Sequence, residues 1–168
     1  PSGVFTDGTG GALLDSPQDI AISGNFAFIP TYTDNAVEIL NISNPLDVSH
    51  EGSIYDNQDA PNLAGAAAIL ADGSTIYIAS NSADTLEVID AGDIDNPAHL
   101  GKLKDINSVF LISPRALAKS GNYVYVVCSD SLEIIDVSDP ANPAFVSRFT
   151  GLSSPRAVAV SGLYAYVV

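Results

Sequence analysis

Leu132-Glu-Ile-Ile-Asp-Val-Ser-Asp-Pro-Ala-Asn-Pro143 is a short apolar strand that runs directly into a turn of Asp, Ser, Asn and Pro. Looser copies of this stretch begin at Val37 and at Leu86, and each copy carries a glutamate, at positions 38, 87 and 133. The steps between these glutamates are 49 and 46 residues. Such steps are too long for a repeated hairpin and fit a repeated unit of four short strands, about 40–50 residues long.

A second periodic signal comes from four turn glycines, Gly24, Gly73, Gly121 and Gly162, which are spaced by 49, 48 and 41 residues. Each lies between two apolar runs, as expected for a tight hairpin. Aromatic residues then recur two positions apart: Phe26 with Phe28, Tyr123 with Tyr125, and Tyr164 with Tyr166, while the second unit keeps only Tyr77. Period-two spacing places each pair on one strand face, where the rings are predicted to fill the wedge between neighbouring units.

These repeats predict an all-β chain, a β-propeller of four-stranded antiparallel blades with about three complete blades and partial blades at both ends. The Ala-rich run at 64–70 has helical propensity, but we predict a strand because its counterparts in other units lead into hairpins. The predicted segments are a leading strand of a preceding or closing blade in 1–15 (Val4–Thr6), blade 1 in 16–60, blade 2 in 61–112, blade 3 in 113–153, and half of blade 4 in 154–168.

The third unit, Gly121-Asn-Tyr-Val-Tyr-Val-Val followed by Leu132-Glu-Ile-Ile-Asp-Val-Ser-Asp-Pro, resembles the LVIVD repeat, and so do units one and four. The second unit, with Ile76-Tyr-Ile-Ala-Ser-Asn-Ser-Ala-Asp-Thr-Leu-Glu-Val-Ile-Asp90, resembles the YVTN type. This resemblance implies an extracytoplasmic β-propeller of bacterial or archaeal surface or secreted proteins. It carries no catalytic motif onto the chain.

The composition is strongly acidic, with 20 Asp and Glu against 6 Lys and Arg, a formal net charge of -14 and a pI near 4.1. Such a surface repels phosphate backbones and anionic lipid headgroups, so we expect neither nucleic acid nor membrane insertion. Apolar residues make up 46% of the chain, enough for a sizeable core. Cys128 is the only cysteine, which excludes an internal disulfide, and we predict a buried, inert thiol.

Three complete blades fall short of the roughly four that a closed ring needs. An unclosed array would leave apolar faces and strand edges in water. We therefore expect either that the chain is part of a longer polypeptide or that several copies close on one another, which would be a route to self-assembly.

A candidate binding site lies where each blade begins. Gln18, Arg115 and Arg156 each follow a proline at equivalent positions of successive blades, so they should form a ring at the channel mouth. Two arginines there could hold a carboxylate or sulfate bidentately. The alternative is that each arginine pairs with an acid of the next blade.

The remaining candidates are weaker in chemistry. Asn41 begins a glycosylation sequon, which matters only if the chain is exported. His50 and His99 fall on outer strands at non-equivalent positions, away from the axis, so we predict structural histidines and no catalytic residue. Calcium is the only cofactor that the turns suggest, although such aspartates also cap turns by accepting backbone amides. The candidate calcium ligands are Asp90, Asp93, Asp95, Asp136 and Asp139.

The sequence thus predicts a non-enzymatic extracellular or cell-surface module with a structural or protein-interaction role, whose partners include other copies of itself in a repetitive assembly. One alternative is part of a propeller enzyme, of the lactonase or quinone-dependent dehydrogenase type, with its active site outside this stretch. Another is a glycan-binding propeller that uses Tyr32 and Tyr55 as stacking platforms.

Overall fold

The computed structural model describes residues 5–56, 61–104 and 111–168, and it consists of three four-stranded antiparallel sheets followed by a two-stranded sheet. Within each sheet every strand pairs with its neighbours in the sequence, so the prediction of an all-β chain of four-stranded antiparallel blades is confirmed. Blade 1 contains β1 (Ala21–Ser23), β2 (Phe26–Thr31), β3 (Ala36–Asn41) and β4 (Ser49–Tyr55); blade 2 contains β5 (Ala66–Asp72), β6 (Thr75–Ser80), β7 (Thr85–Asp90) and β8 (Ala98–Lys104); blade 3 contains β9 (Ala116–Ser120), β10 (Tyr123–Val127), β11 (Ser131–Asp136) and β12 (Ala144–Thr150); and the half blade contains β13 (Val158–Ser161) and β14 (Tyr164–Val167).

The core lies between blades. One apolar cluster joins blades 1 and 2 around Phe28, and a second joins blades 2 and 3 around Tyr77. These two rings are only 2% and 3% exposed, so they fill the predicted wedges. Their counterpart in the half blade, Tyr166, is 59% exposed, because no described blade packs against that face. The first strands of successive blades lie side by side, which places them nearest the axis.

The leading segment differs from its prediction. Residues 5–15 contain no strand; they contain a short 3-10 turn at Thr9–Gly11, while Val4 lies outside the described residues. Gly8, Gly10 and Gly11 all have positive φ, which curls the backbone away from the extended geometry that a strand needs. The 3-10 turn packs against β4, and the segment is held to blade 1 by the backbone amide of Leu13, which donates to Glu38 Oε2 at 3.1 Å.

The secondary structure of the described residues consists of strands and one 3-10 turn. No helix there is long and apolar enough to cross a membrane.

Candidate functional site

A recurrent turn leads into the first strand of each blade. Its first residue has left-handed backbone geometry in every case: Ser16 (φ 57°), Gly65 (φ 65°), Ser113 (φ 50°) and Ser154 (φ 50°). Left-handed φ costs an L-residue roughly 1–2 kcal/mol, and such strain persists only where the surroundings fix it. We call these four segments the entrance turns.

The surroundings that fix the entrance turns come from the preceding blade. The side-chain Oδ1 of Asn35, in the turn after β2, accepts from the backbone N–H of Gly65 at 2.8 Å. In the next blade, Oδ1 of Asp84 accepts from the N–H of Ser113 at 2.9 Å. Asn35 and Asp84 themselves both have φ of 53°. The entrance turn of one blade is therefore locked to the second hairpin of the blade before it.

The predicted site residues follow the entrance turns, and their backbones are anchored in the same way. The N–H of Gln18 donates to the carbonyl of Pro30 at 3.0 Å, and the N–H of Arg115 donates to the carbonyl of Val127 at 2.8 Å. The N–H of Arg156 makes the equivalent bond to Val168. Each residue is thus tied to the end of the second strand of its own blade.

These anchors bring all three predicted residues together around one cavity of about 300 Å³. The cavity lies at the mouth where the first strands begin. Blade 2 contributes Ala67 at the position equivalent to Gln18, and the register of β5 against β6 shifts at this residue, as in a β-bulge. The lining residues are Gln18, Tyr32, Ala67, Asn81, Arg115 and Arg156.

The two arginines at the cavity have no counter-ion in the described part of the chain, where neither guanidinium makes an ion pair or hydrogen bond. Arg115 is half-buried and Arg156 is exposed. The alternative of pairing with an acid of the next blade is therefore not what the described residues show. Lys119 does pair with an acid of a neighbouring blade, but of the preceding one: its Nζ lies 2.7 Å from Asp72 Oδ2, at the opposite end of the blades.

Tyr32 and Asn81 complete the described lining, and neither was predicted to lie beside the arginines. Asn81 Nδ2 donates to the carbonyl of Pro114 at 3.3 Å, while the Tyr32 hydroxyl and the Ser82 hydroxyl lie 3.1 Å apart. Both lining residues directly follow the second strand of their blade, 49 positions apart in the sequence. That spacing matches the repeat and was the available signal. Tyr32 is 39% exposed and Tyr55, 60% exposed, lies outside the lining.

A row of buried glutamates runs through the third strands, a feature that the sequence showed only as a recurrence. Glu38, Glu87 and Glu133 are each fully buried. Glu38 Oε1 contacts His50 Nδ1 at 2.5 Å, and its Oε2 accepts from the Ser53 hydroxyl at 2.7 Å.

The second glutamate repeats this arrangement, since Glu87 Oε2 and His99 Nε2 lie 2.8 Å apart. His50 lies opposite Leu40 and His99 opposite Ile89, which are equivalent places beside a register shift. The prediction that the two histidines occupy non-equivalent positions is therefore wrong: both lie twelve residues after their glutamate. Burial raises the pKa of Glu87 above its usual range, opposed chiefly by the hydrogen bond with His99.

Blade 3 has no histidine at this place and instead sets Phe145 opposite Ile135. Glu133 Oε1 accepts from the Ser131 hydroxyl at 2.7 Å, and Arg148 is its cross-strand neighbour. The buried glutamates thus contact a histidine in blades 1 and 2 and a serine in blade 3, and the row lies apart from the cavity lining.

Three of the five candidate calcium ligands act as turn caps in the structure. Asp90 Oδ1 accepts from the N–H of Gly92 at 2.9 Å, Asp136 Oδ1 from that of Ser138 at 2.8 Å, and Asp139 Oδ1 from that of Ala141 at 3.1 Å. The Ser138 amide lowers the pKa of Asp136. The described residues bring no three acids, histidines or cysteines together as a metal site, and Asp93 and Asp95 are not joined to the others.

Two further predicted residues occupy defined places. Asn41 Nδ2 donates to Glu51 Oε2 at 3.2 Å and its Oδ1 accepts from the Ser43 hydroxyl, so the sequon amide is hydrogen-bonded within the fold. Cys128 is buried, and burial raises the pKa of its thiol.

The repeats identify the family. A model described as the LVIVD repeat matches residues 16–55, 115–151 and 154–168, which is more than half of the chain. The chain belongs to the LVIVD repeat family. The match leaves out residues 56–114, which include the unit whose sequence resembles the YVTN type. No curated protein matches the chain.

Solved structures similar to this LVIVD repeat chain share its fold. A protein from Lactobacillus plantarum is 17% identical with a TM-score of 0.71, over 92% of this chain and 50% of that one. A Pseudomonas aeruginosa structure described as a periplasmic gluconolactonase is 16% identical with a TM-score of 0.68, over 90% of this chain and 42% of that one. The computationally designed Ika4 protein is 14% identical with a TM-score of 0.67, over 92% of this chain and 91% of that one. The chain thus spans half or less of the two natural proteins.

Proposed function

We propose that this LVIVD repeat chain is a non-enzymatic binding module that acts outside the cytoplasm or on the cell surface through the mouth of its propeller. The observation that carries the proposal is the lining of the cavity. The six described side chains that line it can hold a ligand, but they include no carboxylate, histidine, thiol or serine that could attack a bond or act as a general base, and the Tyr32 hydroxyl lies against that of Ser82.

The groups that most often act in catalysis have other roles in this fold. His50 and His99 are engaged with buried glutamates on the outer side of their blades, and Cys128 is buried with a raised pKa. A histidine fixed in such a pair orders the blade. This use of the histidines supports a binding module more than an enzyme.

Protein partners, including other copies of the chain, are supported by exposed apolar side chains on blade 3 and the half blade. Phe149, Leu163 and Tyr164 are 62%, 97% and 69% exposed. Leu163 and Tyr164 are adjacent in the sequence, and contiguous exposed apolar surface marks interaction sites. Action outside the cytoplasm is supported by the fold shared with the protein described as periplasmic.

The test compares turnover and binding on one preparation. Gluconolactone hydrolysis followed by pH-stat, and dye reduction with added quinone cofactor and sugar, should not exceed the buffer blank. Turnover that Arg156→Gln removes and Lys104→Gln retains would overturn the proposal, because it would place chemistry at the cavity. Lys104 is an exposed cation at the end of β8, outside the lining.

The binding arm immobilises the chain and exposes it to the cell-surface proteins of the source organism. We expect a partner that wild type and Lys104→Gln retain and that Arg115→Gln/Arg156→Gln loses, with thermal unfolding used to show that the double variant folds. Retention by all three proteins would refute the mouth as the binding surface. Protease treatment of intact source cells then tests location, since an external module is cleaved while the membrane is closed.

A further inference from the structure

We propose that the cavity at the propeller mouth is a carboxylate-binding site, in which Arg115 and Arg156 hold the carboxylate and the amides of Gln18 and Asn81 contribute neutral donors. The inference names the ligand chemistry of the binding mouth and so rests on the proposed function. Three features support it: the distribution of charge, the preorganised backbones of the arginines and the volume of the cavity.

The charge distribution singles out this cavity. The chain has 20 acidic residues and only 6 Lys and Arg, so its few cations have an excess of possible partners. Two of the three arginines nevertheless lie on one cavity whose described lining residues include no acid, and the described residues give neither guanidinium a partner. Two like charges held on neighbouring blades repel each other, and a bound anion between them removes that cost.

The arginines are preorganised by their backbones. Each follows a left-handed serine and a buried proline, and each donates its N–H to the end of the second strand of its blade. Asp84 and Asn81 of the preceding blade also hold the segment that leads to Arg115. Such anchoring lowers the ordering cost of binding, and strained turns of this kind cluster at ligand sites.

Space for the ligand comes from blade 2. Where other blades have Gln18 or an arginine, blade 2 has Ala67, and the register shift at this residue widens the strand locally. The resulting volume of about 300 Å³ lies at the lower end of the range for small-ligand pockets. The side-chain amides of Gln18 and Asn81 each have an N–H left to donate to a ligand. Among the described residues, the Gln18 amide donates only to the Ser16 carbonyl and the Asn81 amide only to the Pro114 carbonyl.

A carboxylate fits this site better than phosphate or sulfate. The guanidinium fork pairs with two oxygens of either a carboxylate or a phosphate, so the charge of the ligand decides between them. The field of a chain with net charge -14 also repels a dianion about twice as strongly as a monoanion. The carboxylate could belong to a small acid, such as a sugar acid beside the half-exposed Tyr32 ring, or to an acidic side chain of a protein partner, and the two sources share one chemistry.

The experiment is isothermal titration calorimetry at fixed ionic strength with four probes: gluconate, N-acetyl-aspartate N-methylamide, inorganic phosphate and sulfate. We expect saturable binding of at least one carboxylate, tighter than that of either inorganic anion. Arg115→Gln and Arg156→Gln should each weaken it at least about tenfold, since each removes a charge-assisted pair. Lys104→Gln, which removes the same charge elsewhere, should change it less than about twofold.

Two further variants separate charge from geometry. Arg115→Lys/Arg156→Lys keeps the charge and removes the forks, so it should weaken carboxylate binding more than phosphate binding. Ala67→Leu keeps every donor and fills the cavity, so it should abolish binding. If gluconate binds more tightly than N-acetyl-aspartate N-methylamide, the carboxylate comes from a small acid. The reverse order indicates an acidic side chain of a protein partner, and both results support the site.

The inference is overturned if phosphate or sulfate binds more tightly, if no carboxylate binds, or if Arg156→Gln binds as wild type does. These failures leave the binding-module proposal standing wherever a protein partner is still lost with the double variant. Turnover at the cavity would instead overturn the proposed function while carboxylate binding could remain. Thermal unfolding of every variant identifies any that fails to fold, and Ala67→Leu tests the site without touching a charge.

Discussion

At the scale of single residues, the buried glutamates are the costliest groups to disturb. Glu38 satisfies a histidine, a serine hydroxyl and the backbone amide of Leu13 at once. We expect Glu38→Ala to lower the free energy of unfolding by about 3–5 kcal/mol, because all three partners then lose their acceptor inside the blade. Urea unfolding measures it.

The matched control for that change is Glu51→Ala, which removes an exposed glutamate from the adjacent strand. It should cost less than about 1 kcal/mol. Equal costs for the two variants would mean that the Glu38 cluster is a consequence of packing and contributes little itself.

The pH dependence of stability should have opposite signs at Glu87 and Asp136. The pKa of Glu87 is raised by burial, so the folded state keeps that proton to higher pH than the unfolded chain does. Wild type should therefore lose stability relative to Glu87→Gln as pH rises from about 4.3 toward the raised value. The pKa of Asp136 is lowered by the Ser138 amide, so its contribution is present above about pH 3.9 and is lost as pH falls below it.

The measurement is urea unfolding of wild type, Glu87→Gln and Asp136→Asn across the acid range. The difference between wild type and each variant isolates the titrating group. If the stability of wild type instead rises with pH relative to that of Glu87→Gln, the contact with His99 outweighs the effect of burial.

In the sequence, the glutamate row is visible only as a residue that recurs at one position of each repeat. Glutamate is rarely fully buried, so residue type alone gives no indication that positions 38, 87 and 133 lie inside the blades. Burial became visible only with the cross-strand partners, and those partners differ: histidine in two blades, and a serine with a neighbouring arginine in the third. The histidines could have been paired with the glutamates from their common offset of twelve residues.

At the scale of elements, the entrance turns should be more sensitive to substitution than the hairpin turns. Gly65 and Gly121 both have positive φ, but a Cβ on Gly65 would lie 2.4 Å from the Ser82 hydroxyl, whereas one on Gly121 would meet nothing within 4 Å. Gly121→Ala should cost about 1–2 kcal/mol from backbone geometry alone. Gly65→Ala should cost at least about 1 kcal/mol more, because the collision adds to the same strain.

Thermal and urea unfolding of the two variants give this difference directly. Equal costs would show that the loop of Ser82, which belongs to the same blade as Gly65, moves aside freely and does not restrict the entrance turn.

Strands were the most predictable elements because alternation and turn residues specify them locally. Even the Ala-rich run became β5, since its partner β6 fixes it against helical propensity. The leading segment was mispredicted because Val4-Phe5 reads as a strand only if the glycines after it can extend, and they do not. Left-handed serines in the entrance turns also leave no signal in residue type, since serine has no preference for that geometry.

At the scale of the whole molecule, the repeat register placed Gln18, Arg115 and Arg156 at one mouth, and the structure brings them to one cavity. Equivalent positions in a radial array must converge, so this part followed from spacing alone. The sequence did not show whether the arginines are paired with acids. The acids are spread through the turns, and spacing alone does not tell which of them lie near an arginine.

Self-association of the isolated 168-residue chain is the prediction that belongs to this scale. Tyr164 and Tyr166 are the counterparts of Phe26 and Phe28, which pack on the cluster between blades 1 and 2. At the other side of the array, Ile20 and Ile22 are 55% and 62% exposed.

The counterpart of Ile20 in blade 2 is Ile69, which is buried in that same cluster. The two open faces are therefore the two halves of one inter-blade interface. A head-to-tail contact between copies would bury both.

We expect sedimentation velocity of the 168-residue chain to show concentration-dependent association that Tyr164→Lys/Tyr166→Lys abolishes, since a lysine cannot fill the wedge of the next blade. Leu46→Lys makes the same chemical change at an 82% exposed residue in the turn between β3 and β4, and it should leave association intact. Association that survives in the double variant would place the contact elsewhere on the acidic surface. Association lost equally in Leu46→Lys would show that general apolarity drives it, without the geometry of the blade interface.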